Sequence, residues 1–375
     1  MLWLGRMRVV LLAVLALPLS GCGLGYYWQA TAGHLGVMNS RTPVEQVLSD
    51  PATPEALGKR LEYALAARDF AHQSLALPDR GSYRHYADLE RPYVVWNVVA
   101  TTEFSLVPQN WCYPVAGCVS YRGYFAEAAA DRLAGELRAD GNDVMVGGVR
   151  AYSTLGRFDD PLLNTFMDLP RDQLAGLIFH ELAHQRLYIR DDSAFNESFA
   201  TAVEREGLRL WLAGDDAGLC ALELRAQRRS QVDALLADAR VALEQVYASA
   251  LGDEEKRAAK ARVYAELSSA YEALRATWSG PPYFDGWLRG ELNNALLAAL
   301  ATYNDYLPAF TQLLREVNGD WQLFYQRASE IGALPENERA AALGRLTPTA
   351  VSGPRVVDKC SAPPVRAASR APRAG

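Results

Sequence analysis

Residues 179–185 read Phe179-His180-Glu181-Leu182-Ala183-His184-Gln185. Two histidines four positions apart on a helix project from one face, separated by a turn of about 5.4 Å, so both imidazoles can reach a single metal ion. The neighbours Leu177, Ile178, Leu182 and Ala183 are apolar and predict a buried helix, where unpaired imidazoles are costly. Neutral imidazole suits Zn²⁺, which is therefore the expected cofactor. Glu181, one position round from His180, is placed beside the open coordination position as a general base. With only five histidines in the chain, chance is a poor account of this spacing.

Working outward, the spacing predicts a helix over Leu169–Ile189, with Pro170 near its start, where a missing N–H costs nothing, and Asp168 as its cap. A second helix is expected over Ser193–Trp211. A catalytic zinc needs a third protein ligand and a free fourth position. The carboxylates that follow are Asp191, Asp192, Glu197, Glu204 and Glu206. Glu197 and Glu204 share a helix face but lie about 10.5 Å apart along the axis, so they cannot both bind one ion.

The segment Asn196-Glu197-Ser198-Phe199-Ala200, taken with His180-Glu181-Leu182-Ala183-His184, resembles the paired signature of the membrane-alanyl-aminopeptidase family and other gluzincins. That resemblance implies Glu197 as third ligand and leaves Glu204 as a supporting or salt-bridge residue. Twelve residues separate His184 from Glu197, fewer than in gluzincins, whereas Glu204 falls at the longer, thermolysin-like spacing and is the competing ligand. Tyr93-Val94-Val95-Trp96-Asn97-Val98 and Ala151-Tyr152-Ser153-Thr154-Leu155-Gly156, ahead of the metal helix, are similar to segments of a bacterial aminopeptidase lipoprotein family known mainly from sequence. This second likeness covers nearly the whole mature chain and implies a peptide substrate.

The N-terminus points to the same setting. Arg6 and Arg8 precede an apolar run from Val9 to Leu19 that is too short to span a bilayer, the pattern of an export signal over residues 1–21. It ends in Leu19-Ser20-Gly21-Cys22, which looks like a lipobox, so Cys22 is the expected lipidation site. The expected location is the periplasmic side of the bacterial cell envelope, and Gly23 in place of Asp favours the outer membrane. Lipid on Cys22 makes the membrane a partner. Export also places Cys112, Cys118, Cys220 and Cys360 in an oxidising compartment, and Cys112 and Cys118, flanking a short Pro- and Gly-containing turn, are the nearest local disulfide pair.

Composition agrees with an exported globular protein: 375 residues, half of them apolar and 22% charged, with a net charge of −6 that falls to −8 without the two N-terminal arginines. Nothing in it indicates nucleic-acid binding. Further helices are expected over Thr53–Leu77 and Phe125–Leu137. Strands are expected at Tyr93–Val99, around Cys118–Tyr121, and from Asp143 past Gly147-Gly148 towards Ser153. Two long charged stretches over about 215–278 predict a helical hairpin, and more helices follow to Leu343. The fold class is thus α+β and predominantly helical, with a small sheet and a C-terminal helical hairpin or bundle, and the resemblance implies a zincin-like metallopeptidase domain over 22–346. A Pro-, Ala- and Arg-rich tail over 347–375 is expected to be disordered.

Residue roles beyond the ligands stay open at this level. Val149–Leu155 holds the place of a substrate-pairing edge strand or of a plain core strand. Tyr303 and Tyr152 are candidate oxyanion stabilisers or packing residues, and Arg150 is a candidate for substrate binding. The chemistry expected is peptide hydrolysis, most simply from the free amino end. An endopeptidase on the same chemistry, or a non-catalytic lipoprotein that binds a partner through the helical hairpin, are the alternatives.

Overall fold

A computed structural model of the chain describes residues 24–113, 117–280, 284–301 and 306–347. The export segment, Cys22, Tyr303, Cys360 and the tail beyond Thr347 lie outside the described residues. In chain order come α1 (Leu24–Asn39), β1 (Thr42–Pro43), α2 (Val44–Ser49), α3 (Glu55–Leu75), β2 (His85–Ala87), β3 (Val95–Thr102), β4 (Trp111–Tyr113), β5 (Gly117–Val119) and β6 (Arg122–Tyr124). Then follow α4 (Glu127–Ala139), β7 (Asn142–Val149), β8 (Leu162–Leu163), α5 (Asn164–Met167), α6 (Arg171–Arg186) and α7 (Ser193–Trp211). The long pair α8 (Asp216–Ala248) and α9 (Asp253–Ala276) precedes α10 (Asp285–Leu288), α11 (Asn294–Ala301), α12 (Leu307–Glu316), α13 (Trp321–Gly332) and α14 (Glu336–Leu346). The molecule is α+β and predominantly helical.

The larger sheet has the order β6-β3-β7, antiparallel throughout, with β3 and β7 in register from Val95 opposite Val149 to Thr102 opposite Asn142. Its central strand is apolar on both faces, as a strand covered on two sides must be. α4 covers one face with Ala130 and Ala134, small residues that let the helix sit close to Trp96, Val98 and Val144. A second small sheet, β1-β2-β8, pairs β2 with β8 in parallel. β4 and β5 form a hairpin in which Cys112 and Cys118 stand opposite one another and are joined by a disulfide.

The main core gathers α3, α6, α7 and α12 to α14 around stacked aromatic rings, with Phe195, Phe199, Phe310 and Phe324 fully buried. A separate apolar cluster ties α8 and α9 to α11 through Leu236, Leu243, Tyr271 and Leu297. The buried Asn294 side chain accepts from Tyr247 and Tyr264 and donates to the Glu103 carbonyl. Together with Lys260 on Asp143 at 2.7 Å, it pins the hairpin to the sheet.

Two local expectations need correction. The strand expected to run on to Ser153, and with it a strand over Val149–Leu155, stops at Val149. Past that point the Arg150 carbonyl accepts from the Thr165 hydroxyl, while Leu155 and Gly156 adopt φ of 56° and 74°, values that no strand tolerates. Asp168 does not cap α6. Pro170 stands at the N-cap without a side-chain hydrogen bond, and Asp168 takes Arg150 Nη1 at 2.5 Å.

Candidate metal centre

The helix α6 is held by its own apolar residues, among them Leu174, Ile178, Phe179 and Leu182, and it packs along α7. Gly176 permits their close approach: a Cβ there would meet Leu208 at 3.0 Å and Glu204 at 3.2 Å. The chain turns from one helix to the other within residues 187–192, and that turn is clamped. Asn196, only 1% exposed, accepts from the Ile189 N–H and donates to the Ile189 carbonyl, each at 2.7 Å. Asp192 caps α7 by accepting from the Phe195 N–H and also receives Arg339 Nε at 2.6 Å. Asp191 accepts from the Cys118 N–H, so the disulfide hairpin braces the turn from outside.

These constraints bring His180, His184 and Glu197 together, their ligand atoms all within 4.8 Å of one another. The two Nε2 atoms are 3.2 Å apart, and Glu197 offers Oε2 at 3.4 Å to His180 and Oε1 at 3.7 Å to His184. Ligands held tetrahedrally at about 2.0–2.2 Å from Zn²⁺ stand about 3.3–3.6 Å from one another, so spacing and donor set both fit such an ion. Glu204 lies on the other edge of the His180 ring, with Oε2 3.2 Å from Nδ1.

Electrostatics follow from this crowding. Burial alone would lower the pKa of His180, but hydrogen bonds to Glu197 and Glu204 hold it well above the ordinary value. His184 is lowered to about 4, by burial first and then by the charge of His180. Burial would raise Glu197, yet its hydrogen bond to His180 and the two imidazoles bring it below the usual carboxylate value. Glu181 is pushed up to about 7, chiefly by burial, against the charge of His180 and a hydrogen bond to Ser153, with Glu197 and Asp160 adding to the rise. A carboxylate so poised exchanges protons near neutrality.

Two tyrosines stand near the cluster and are not among the residues singled out from sequence. The Tyr83 side chain is buried in the field of Glu181 and Asp160, which with desolvation keeps its phenol protonated. Tyr188 is half-buried with its ring 6.4 Å from that of His184, and burial followed by Glu197 raises its pKa. Its place four residues after His184 is the signal that could have found it. Tyr152 packs against Phe125 and reaches His34 Nδ1 at 3.5 Å, and Arg150 is neutralised by Asp168.

No curated protein and no solved structure matches the chain. The family described as "Putative aminopeptidase" matches over residues 25–343, and the chain belongs to that family.

Proposed function

We propose that the protein is a zinc-dependent peptidase, an aminopeptidase acting on peptides in the periplasm, with His180, His184 and Glu197 as the ligands and Cys22 as its lipid anchor. The observation that carries this reading is the three-residue cluster at tetrahedral spacing, with the carboxylate of Glu181 beside it. Zinc held there supplies a Lewis acid that polarises the scissile carbonyl. The remaining chemistry falls to the side chains. Glu181 takes a proton from the attacking water and delivers it to the nitrogen of the leaving amine, and its hydrogen bond to Ser153 orients it. Glu204 fixes the His180 ring by accepting at Nδ1 and leaves Nε2 for the ion. Tyr188, its ring 6.4 Å from that of His184 and its phenol protonated at neutral pH, is the side chain assigned to donate to the oxyanion. The disulfide between Cys112 and Cys118 supports an oxidising compartment.

The test is metal content of the purified protein together with hydrolysis of one peptide series carrying free or acetylated N-termini. One Zn²⁺ per chain and cleavage confined to free N-termini are expected, with both peptides intact in the Glu181→Gln variant. Equal cleavage of both series at internal bonds would make the protein an endopeptidase, and no hydrolysis by the metal-loaded protein would remove the enzymatic reading.

A further inference from the structure

The first described helix, α1, is fastened along one side. Tyr26 lies 5.5 Å from the rings of both Tyr113 and Tyr124, with the Arg122 guanidinium 4.2 Å over its face. Gln29 bridges the backbone of Gly123 and Phe125, and Gly33 lies so close to Phe125 that no Cβ would fit. The helix therefore cannot roll. Its other side is fixed outward and carries Tyr27, Trp28, Thr31, Ala32 and Leu35, with Trp28 76% exposed and Leu35 51%. No Asp, Glu, Lys or Arg occurs anywhere in the helix, and its histidine, His34, packs against Tyr152 and Phe158. An uncharged outer face bearing Trp and Tyr at one end and Leu further along is unusual for water and suits the headgroup region of a bilayer.

The distance to the anchor identifies the occupant. The described helix starts at Leu24, two residues after Cys22 in sequence and so at most about 7 Å from it, and Trp28 lies about 6 Å further along the axis. A lipid on Cys22 thus leaves no linker that could hold α1 away from the membrane. Among the described residues no helix is long and apolar enough to cross a membrane, so α1 can rest on the surface but not traverse it. We infer that the Trp28–Leu35 face of α1 lies in the interface of the bilayer that holds Cys22, and fixes the orientation of the domain on that surface. The inference rests on the lipid anchor of the proposed function.

The experiment uses the full chain, processed in bacteria and reconstituted into phosphatidylethanolamine–phosphatidylglycerol vesicles with brominated acyl chains. Brominated lipid should quench the tryptophan emission. Trp28→Phe should remove most of that quenching, and Leu35→Asp, a charge on an exposed position, should reduce it while the protein stays on the vesicles. Quenching that is absent, or unchanged in both variants, would overturn the inference. Mass spectrometry of the N-terminal peptide separates the two readings. An acylated Cys22 with unquenched Trp28 sinks only the interfacial face, whereas an unacylated Cys22 removes the anchor and the inference with it.

Discussion

Glu204 stands 3.2 Å from Nδ1 of His180, on the edge of the imidazole opposite the one that meets Glu197. The two carboxylates, seven residues apart on α7, thus grip one ring from its two nitrogens. Glu204→Ala is expected to weaken zinc binding about 10- to 100-fold, as loss of a carboxylate behind a ligating histidine does. Glu197→Ala should weaken it far more. Competition with a chelator of known affinity measures both, and the reverse order would move the third ligand to Glu204.

His180→Ala or His184→Ala should release the metal. Glu181→Gln should retain it and lose turnover by about 10²- to 10⁴-fold, the usual contribution of a positioned general base. Metal content by atomic absorption beside kcat on a peptide substrate separates these effects, and full activity in Glu181→Gln would assign the base elsewhere.

Asn196→Ala removes both side-chain partners of the Ile189 backbone in a half-buried turn. An orphaned group costs about 1–3 kcal/mol when fully buried and less where water reaches it, so a lower denaturant midpoint is expected. Zinc affinity should fall as well, although no ligand has changed. An unaltered midpoint and affinity would show that the turn holds its shape without this clamp.

Asp160 is 1% exposed, and burial raises its pKa from 3.8 to about 6 even though its carboxylate accepts from the Thr154 N–H. The folded state therefore binds the proton more tightly than the unfolded chain. Stability present below about pH 4 is lost as pH rises through about 6, by at most ~3 kcal/mol. Asp160→Asn keeps an acceptor without the charge. Its advantage over the parent protein should appear above pH 6 and vanish below pH 4 in urea unfolding curves, and a pH-independent difference would contradict the shift.

α6 was legible because a helix face and a pair of imidazoles are both set by spacing, and α7 and the helical hairpin were legible from their apolar and charged patterning. The loop after Val149 was not. Its place after the Asp143 strand and ahead of the His180 helix suggested extended chain, but Asp160 accepts from the Thr154 N–H and is itself tied to Ser82, which Gln185 also contacts, so that segment is drawn inward by residues far apart in sequence. Asp168 illustrates the same limit, since a cap and a partner for Arg150 look identical until the fold brings Arg150 near. The clamp by Asn196 was written in the motif, yet its purpose shows only when the turn it closes is seen.

Arg339, in α14, reaches back 147 residues to Asp192 at the head of α7, the helix that carries Glu197. It also donates to the carbonyls of Gly332 and Leu334, so it joins α14 to the turn between α6 and α7. Synthesis runs from the N-terminus, so His180, His184 and Glu197 exist long before Arg339 does. The timing of assembly is thereby written into the architecture: a nascent or truncated chain carries His180, His184 and Glu197 but lacks the tie that fixes Asp192, and the geometry of the cluster is completed only with α14.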